Sequence, residues 1–432
     1  MAWDFSTEPE FEAKLEWTRR FVKEEIIPLE GLASHWKEHP ELFRRATDPL
    51  KEQVREQGLW AAHLPPELGG GGWGQVRLGL MHEILGQCVY APAIFGNNAP
   101  DSGNAELLAL GGDEAQKKAW MEPLLAGEMR SCFSMTEPGA GADPTLLKTN
   151  AELDGDEYVI NGHKWFSSNA SVADFLIVMA MTNPDNAPHK RYSMIIVPTG
   201  APGVNILRDV PTMADPDHQT GEPGGHAEII YDNVRVPKGN LVGNPGDGFL
   251  LAQKRLGPGR IHHCMRWLGQ SKRAFDMLCE RSLSRYTAGS YLSDKQMVQD
   301  WIAESYAEMQ AARLMTLHAA WRMDEVGAQA ARVEIASIKF WGAKVLYNVI
   351  DRAIQVHGSL GYTTDLPLEG MYRAARAARI YDGPDEVHKV TVSRHLLKGY
   401  RPAEVPTEHV PTRRKLAQQK FADFLDAAAV SA

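Results

Sequence analysis

Three stretches of this chain carry residues whose types and spacing could do chemistry. Tyr381-Asp-Gly-Pro-Asp-Glu-Val-His388 places one carboxylate, Asp382, ahead of a Gly-Pro pair. Gly-Pro followed by two acids is also an ordinary helix start, with Pro near the first turn and acids favoured there by the helix dipole. Spacing alone therefore reads Asp382 as a turn residue. Cys132-Phe-Ser-Met-Thr-Glu-Pro-Gly-Ala-Gly-Ala-Asp143 runs from an apolar stretch into a Gly-Ala-Gly loop, a backbone that can approach a ligand closely. An ordinary strand and turn also accounts for it. In Arg255-Leu-Gly-Pro-Gly-Arg-Ile-His-His-Cys-Met-Arg266, Arg260 reads as a charge at a helix start. His262 and His263 are adjacent, so they face different ways on a helix, and no third ligand stands at metal spacing. No metal site is expected.

Bulk properties narrow the function classes. The 432 residues suffice for two or three domains with a large core. Lys and Arg number 46 against 55 Asp and Glu, a net charge of −9, which predicts a soluble protein without a broad electrostatic grip on nucleic acid. The first residues carry acids and no apolar core, so no secretory signal is read, and no run is long enough to span a bilayer. Cys88, Cys132, Cys264 and Cys279 are scattered, as expected of reduced thiols in a cytoplasmic setting.

The elements that must position these residues change character along the chain. Phe11, Leu15, Val22 and Ile26 recur at helical spacing up to Pro28, a helix is expected around Val76–Cys88, and Asp113 with Gln116 reads as a capping box. The glycine run after Leu68 lacks the Lys-Ser/Thr of a phosphate loop and reads as a flexible connection. The polar segment Asn97–Ser102 reads as a capped loop. Beyond Leu147, Asp154-Gly155 and Asn161-Gly162 are both hairpin signals bracketing a strand Glu157–Ile160; Phe175–Met181, Tyr192–Val197 and Asn233–Pro237 follow as strands. Short strands without intervening helix predict a compact barrel or sandwich. From about Gly246 long helical patterns return, including Val298–Met323 and Ala330–His357, which predict a bundle. After Arg401 come a Pro-containing linker and an amphipathic segment, Arg413–Val430.

Thr136-Glu-Pro-Gly-Ala-Gly141, Asn161-Gly-His-Lys-Trp-Phe-Ser-Ser-Asn169, Asp232–Gly243 and the Asp382 stretch together resemble the acyl-CoA dehydrogenase family of flavoenzymes, over roughly residues 8 to 400. The resemblance implies an α+β multidomain protein. Its expected parts are an N-terminal all-α domain (1–130), a middle β-barrel domain (131–245), a C-terminal four-helix bundle (246–401), and a linker with a terminal helix (402–432). The Asp-Gly-Pro-Asp-Glu motif with Gly259–His263 is similar to the branch fused to a kinase-like domain in some eukaryotic proteins, and no kinase segment is read here.

Carried over by position, the resemblance implies FAD held by Phe133, Met135 and Thr136, by Phe166 and Ser168, and by Pro384 and Glu386. Phe166 would back the flavin ring and the Ser168 hydroxyl would face N5; relatives more often carry Trp and Thr there. Ala142 stands where many relatives offer a serine near the substrate. Arg285 and Gln355, Gly358 and Ser359 resemble elements that reach a neighbouring subunit's FAD, which implies a homodimer or homotetramer with shared sites.

Arg260 and Gly383 fall at substrate-lining positions, and Asp382 where most relatives place a catalytic Glu. The alternative base position is Gly259, which cannot serve. The implied reaction is α,β-dehydrogenation of an acyl-CoA to the trans-2-enoyl-CoA. Its α-proton would pass to Asp382 and its β-hydride to flavin N5, with electrons going on to an electron-transferring flavoprotein. Desolvation is expected to raise the carboxylate's basicity, and the Asp382 N–H to bind the thioester oxygen. Aspartate is shorter than glutamate by about 1.5 Å of bond length, a gap that backbone or substrate must close. Nitroalkane oxidases, which use an aspartate base, and acyl-CoA oxidases are alternatives; a non-enzymatic DNA-binding relative is disfavoured by the acidic charge.

Overall fold

The computed structural model describes residues 5–216, 225–402 and 409–430. One compact unit spans Met1–Lys389 and a second Val390–Ala432.

The first unit opens with helices α1 (Pro9–Phe21), α2 (Pro40–Glu56), α3 (Gln75–Leu85) and α4 (Asp101–Gly111), joined by longer segments that carry shorter helical pieces. In α1, Phe11, Leu15, Thr18 and Phe21 are buried at three- and four-residue intervals, the face expected from the sequence. The chain does not stop at Pro28: a further helical turn covers Ile27–Leu32, with Pro28 in its first turn where a missing N–H is harmless. The Asp113 box forms in full, Asp113 Oδ1 accepting from Gln116 N at 2.8 Å and Gln116 Oε1 from Asp113 N at 3.2 Å.

Eight strands follow: β1 (Ser131–Ser134), β2 (Asn150–Asp154), β3 (Glu157–Ser168), β4 (Phe175–Met181), β5 (Tyr192–Pro198), β6 (Val204–Asp209), β7 (His226–Pro237) and β8 (Leu241–Val242). They form one mixed sheet in the order β6-β7-β3-β2-β4-β5-β8, with β1 parallel to β4. The expected closed barrel is corrected here. Strands β6 and β8 end the path and do not pair with each other, so the sheet stays open.

Residues Phe175 to Ala180 of β4 are all inaccessible because both faces are covered. Phe175, Ile177 and Met179 join Leu107 and Leu108 of α4 in one core. Leu176, Val178 and Ala180 join Ile229 and Tyr231 of β7 in another. Each of the larger apolar side chains here contributes roughly 1.5–3 kcal/mol on burial.

Asn161-Gly162, expected to form a hairpin turn, does not turn. It lies inside β3 at a bulge opposite β7. Asn161 Oδ1 accepts from Asn233 N at 2.9 Å, and a Cβ at Gly162 would stand 2.3 Å from Thr149 Oγ1. This glycine serves close strand approach rather than reversal.

The remaining helices are α5 (Gly248–Ser284), α6 (Gln296–Ala330, broken at Gly327), α7 (Arg332–His357), α8 (Leu368–Ala377) and α9 (Asp385–Leu397). A small hairpin, Tyr286–Thr287 with Ser290–Tyr291, separates α5 from α6. Helix α5 crosses the end of α3 with backbones nearly touching: a Cβ at Gly269 would meet Glu83 O at 2.1 Å, and one at Gly86 would meet Arg266 O at 2.1 Å. That crossing sets the height of the His262–Arg266 turn. In the second unit, the expected terminal helix Arg413–Val430 is two helices, α10 (His409–Lys420) and α11 (Ala422–Val430).

Candidate functional site

The Asp382 loop connects α8 to α9, and two residues of it leave ordinary backbone space. Asp382 has φ +53° and Gly383 φ +97°. Aspartate tolerates the left-handed region better than most side chains, whereas Gly383 has no substitute, since a Cβ there would stand 2.8 Å from His388 Nε2. The helix-start reading also holds, with Asp385 and Glu386 in the first turn of α9. The loop is pinned from three sides. Asp382 O accepts from Arg260 Nε at 3.2 Å and from His388 Nε2 at 3.1 Å. Lys339 Nζ, fully buried on α7, donates to Ala378 O at 2.7 Å and Gly383 O at 3.3 Å. Trp267 Nε1 donates to Tyr381 Oη at 2.9 Å. Among the described residues the Asp382 N–H donates to nothing, so it remains available to an acceptor.

Asp382 Oδ2 lies 3.3 Å from His263 Nε2. Burial pushes the Asp382 carboxyl up, but the N–H of His263 and the charges of Arg260 and Arg255 outweigh it and hold the group below the usual carboxylate range. This overturns the expected rise. Burial lowers His263 itself, against the pull of Asp382, so the imidazole is neutral near pH 7 and acts on Asp382 through its N–H. The fixed charge comes from the arginines. Burial, together with Arg260, brings His388 down to about 4, leaving it neutral as well.

Strand β1 and the turn after it supply the second half of the site. Asp101, at the start of α4, accepts from Ser131 N at 2.8 Å and from Ser131 Oγ at 2.7 Å, which ties the expected polar loop to the strand. Phe133 lies under the Arg255 guanidinium, 4.1 Å from carbon to ring centroid, and Arg255 Nε donates to Asn104 Oδ1 at 3.2 Å. Arg255 thus joins β1 to the field at Asp382.

Behind the turn, the buried Lys164 Nζ donates to Met135 O at 2.7 Å and pairs with Glu137 Oε1 at 3.0 Å. Thr136 O accepts from Trp165 N at 3.0 Å, and the Thr136 hydroxyl makes no hydrogen bond among the described residues. Across from it Phe166, at φ +48°, leaves its ring 40% exposed. Ser168 Oγ contacts His226 Nδ1 at 2.8 Å, a partner the sequence reading did not include.

Family models for the acyl-CoA dehydrogenase N-terminal, middle and C-terminal domains match residues 8–128, 132–226 and 246–397. A probable acyl-CoA dehydrogenase of Mycobacterium tuberculosis, FadE2, is 43% identical over 367 residues, 82% of this chain and 88% of that protein. The chain belongs to the acyl-CoA dehydrogenase family. Human acyl-CoA dehydrogenase family member 11 is 41% identical over 386 residues, 86% of this chain but 48% of its own, so the chain spans about half the length of such longer relatives. Among solved structures, a putative acyl-CoA dehydrogenase from Mycobacterium abscessus superposes with TM-score 0.87 at 38% identity, covering 92% of this chain and all of that one.

As in other acyl-CoA dehydrogenases, the cofactor is FAD, and the residues present fit it. A half-exposed aromatic face at Phe166 and a free hydroxyl at Thr136 suit a flat, apolar ring system with a polar edge. With His226 Nδ1 protonated, the Ser168 hydroxyl also keeps its own proton to donate.

Arg285 and the Gln355, Gly358, Ser359 group are exposed and stand apart from the Asp382 hydrogen-bond cluster; Pro384 is half-buried and Glu386 exposed at the start of α9. Arg255, His263, Lys339 and His388 escaped the sequence reading. Only the Arg255–Arg266 stretch carried a signal, in its density of cations. Among the described residues no group of His, Cys, Asp and Glu could hold a metal ion, and no helix is long and apolar enough to cross a membrane.

Proposed function

We propose that this acyl-CoA dehydrogenase converts an acyl-CoA to its trans-2-enoyl-CoA, with Asp382 as the base. One observation carries the reading: α5 lays Arg255 on Phe133 of the flavin strand and, five residues on, holds the Asp382 carbonyl with Arg260, so one helix bridges base and cofactor strand. FAD, when bound, supplies the acceptor for the β-hydride. Asp382 takes the α-proton, and its free N–H, on a pinned peptide, binds the thioester oxygen and acidifies that α-position. A carboxylate held low is a weak base, so acidification of the substrate carries much of the barrier, and displacement of water by bound substrate raises the base. Arg260, whose Nε holds the base loop, also faces the acyl-CoA.

The electron acceptor in this reading is an electron-transferring flavoprotein, and the pathway is β-oxidation of fatty acyl chains. Exposed Tyr286 (59%) and Tyr362 (85%), beside Arg285 and the Gly358 turn, support a homo-oligomer, dimer or tetramer, that shares its FAD sites. Four unpaired thiols agree with a cytoplasmic compartment.

The test is anaerobic addition of acyl-CoAs of graded length and branching to the yellow protein, with Asp382→Asn beside it. Wild-type flavin should bleach with one class and reoxidise slowly in air, while Asp382→Asn binds flavin and ligand but loses at least ~10²-fold in rate. Bleaching by a nitroalkane alone, or an unimpaired Asp382→Asn, would refute the proposal.

A further inference from the structure

We propose that His263 is a positioning residue for the base: as a neutral imidazole it accepts from Arg266 at Nδ1, donates to Asp382 Oδ2 at Nε2, and so leaves Asp382 Oδ1 to receive the proton. The inference rests on the reading of Asp382 as the base. Arg266 Nη2 lies 3.5 Å from His263 Nδ1, and a guanidinium has donors but no acceptor. Nδ1 must therefore present its lone pair. A neutral ring then carries its proton on Nε2, 3.3 Å from Asp382 Oδ2. An imidazolium would aim a second N–H at the guanidinium, with His82, His262 and Lys339 adding repulsion if charged.

The ring plane is held as well. His263 stacks on Trp267 with centroids 6.3 Å apart and lies 5.2 Å from Tyr381, and those two side chains are hydrogen-bonded to each other. Asp382 Oδ1 makes no hydrogen bond among the described residues. One oxygen is thus anchored and the other free. Aspartate carries its carboxylate on a short side chain with few rotamers, so a single donor at Oδ2 selects one of them. The arrangement has a cost in basicity, because a hydrogen bond to the charged form disfavours protonation.

The other groups facing Asp382 are Arg255, Arg260 and Arg266 on α5, Lys339 on α7 and His388 on α9. Tyr381 and Cys264, both raised by burial, stay neutral. His263, at 3.3 Å, is the one cationic or imidazole side chain among the described residues within ion-pair distance of the carboxylate.

The experiment compares wild type, His263→Leu and His263→Gln in FAD-loaded protein by anaerobic flavin reduction across pH. His263→Leu should lower the limiting rate by ~10- to 100-fold with KM little changed, as expected for a base misplaced by under an ångström or so. Its acid limb of kcat/KM should move to higher pH, because a donor to the carboxylate has gone. His263→Gln, which keeps an N–H donor, should recover most of the rate. Nitrogen NMR of histidine-labelled wild type should show Nδ1 unprotonated and Nε2 protonated at pH 7.

Equal rates for His263→Leu and wild type, an unmoved acid limb, or an imidazolium in the NMR experiment would overturn the proposal. The NMR arm decides the tautomer even where His263→Leu fails to fold. A wild type that no acyl-CoA reduces refutes the function itself, whereas a reducible wild type indifferent to position 263 refutes only the role of His263.

Discussion

Replacing Lys164 by Met tests how the β1–β3 pair supports the cofactor face. Lys164 is fully buried and Glu137 nearly so, with 3.0 Å between Nζ and Oε1. Removing one partner of a buried pair costs about 3–5 kcal/mol, mostly for the charge left behind. In the variant Glu137 keeps Lys148 N at 2.7 Å and Thr149 N at 2.8 Å, which places the expected loss near the low end, about 3 kcal/mol. Adding Glu137→Gln removes the stranded charge, so the double variant should be more stable than Lys164→Met by about 1–2 kcal/mol.

Urea unfolding of all four proteins reads this cycle wherever circular dichroism and fluorescence transitions coincide. Flavin retention on gel filtration should also fall in Lys164→Met, because Met135 O loses the donor at 2.7 Å that holds the Thr136 turn. The pH dependence adds a second check. Burial brings Lys164 down to about 8 from 10.5, with Glu137 partly opposing. Between those values the unfolded chain binds more protons, so wild-type stability should rise as pH climbs from 8 toward 10.5, and Lys164→Met should lose that rise. A loss below about 1 kcal/mol, or a double variant equal to the sum of the singles, would refute the reasoning.

Two further outcomes are expected. Gly383→Ala must bring a Cβ to 2.8 Å from His388 Nε2 at φ +97°, so stability should fall by about 1–3 kcal/mol and flavin reduction by ~10-fold or more, read by melting and stopped flow. Glu106 lies one turn beyond Gly103, whose absent Cβ makes room for Arg255, and burial raises the Glu106 carboxyl to about 7 despite that guanidinium. A raised carboxyl contributes stability below its unfolded value of 4.5 and loses it as pH rises through about 7, so Glu106→Gln should match wild type at pH 4 and exceed it at pH 8 in thermal melts.

Much of the molecule is legible residue by residue. The apolar run Phe175–Met181 is a strand at its expected limits, and the Asp113–Gln116 box caps its helix. Local patterns report local structure. Closure of the sheet is different, because it depends on whether β6 and β8 meet, and neither strand's composition encodes its distance from the other. Asn161-Gly162 misled for a related reason: the dipeptide suits a tight turn and also suits a bulge where Thr149 comes close, and only the neighbouring strand distinguishes them.

The same division runs through the site. Residue types and order alone give Asp382 as a turn residue with its Gly-Pro helix start, the Thr136 loop and the cationic stretch now within α5, because loop conformation and helix capping act within a few residues; the resemblance to the family is what marks Asp382 as a base. What the carboxylate experiences was settled only by tertiary structure. Arg260 reaches the base loop from 122 residues away in sequence, and His263 and Arg255 arrive on the same helix. Burial and charge act on Asp382 in opposite directions, and charge–charge energy depends on separation and local dielectric, quantities that exist only once the helices have packed.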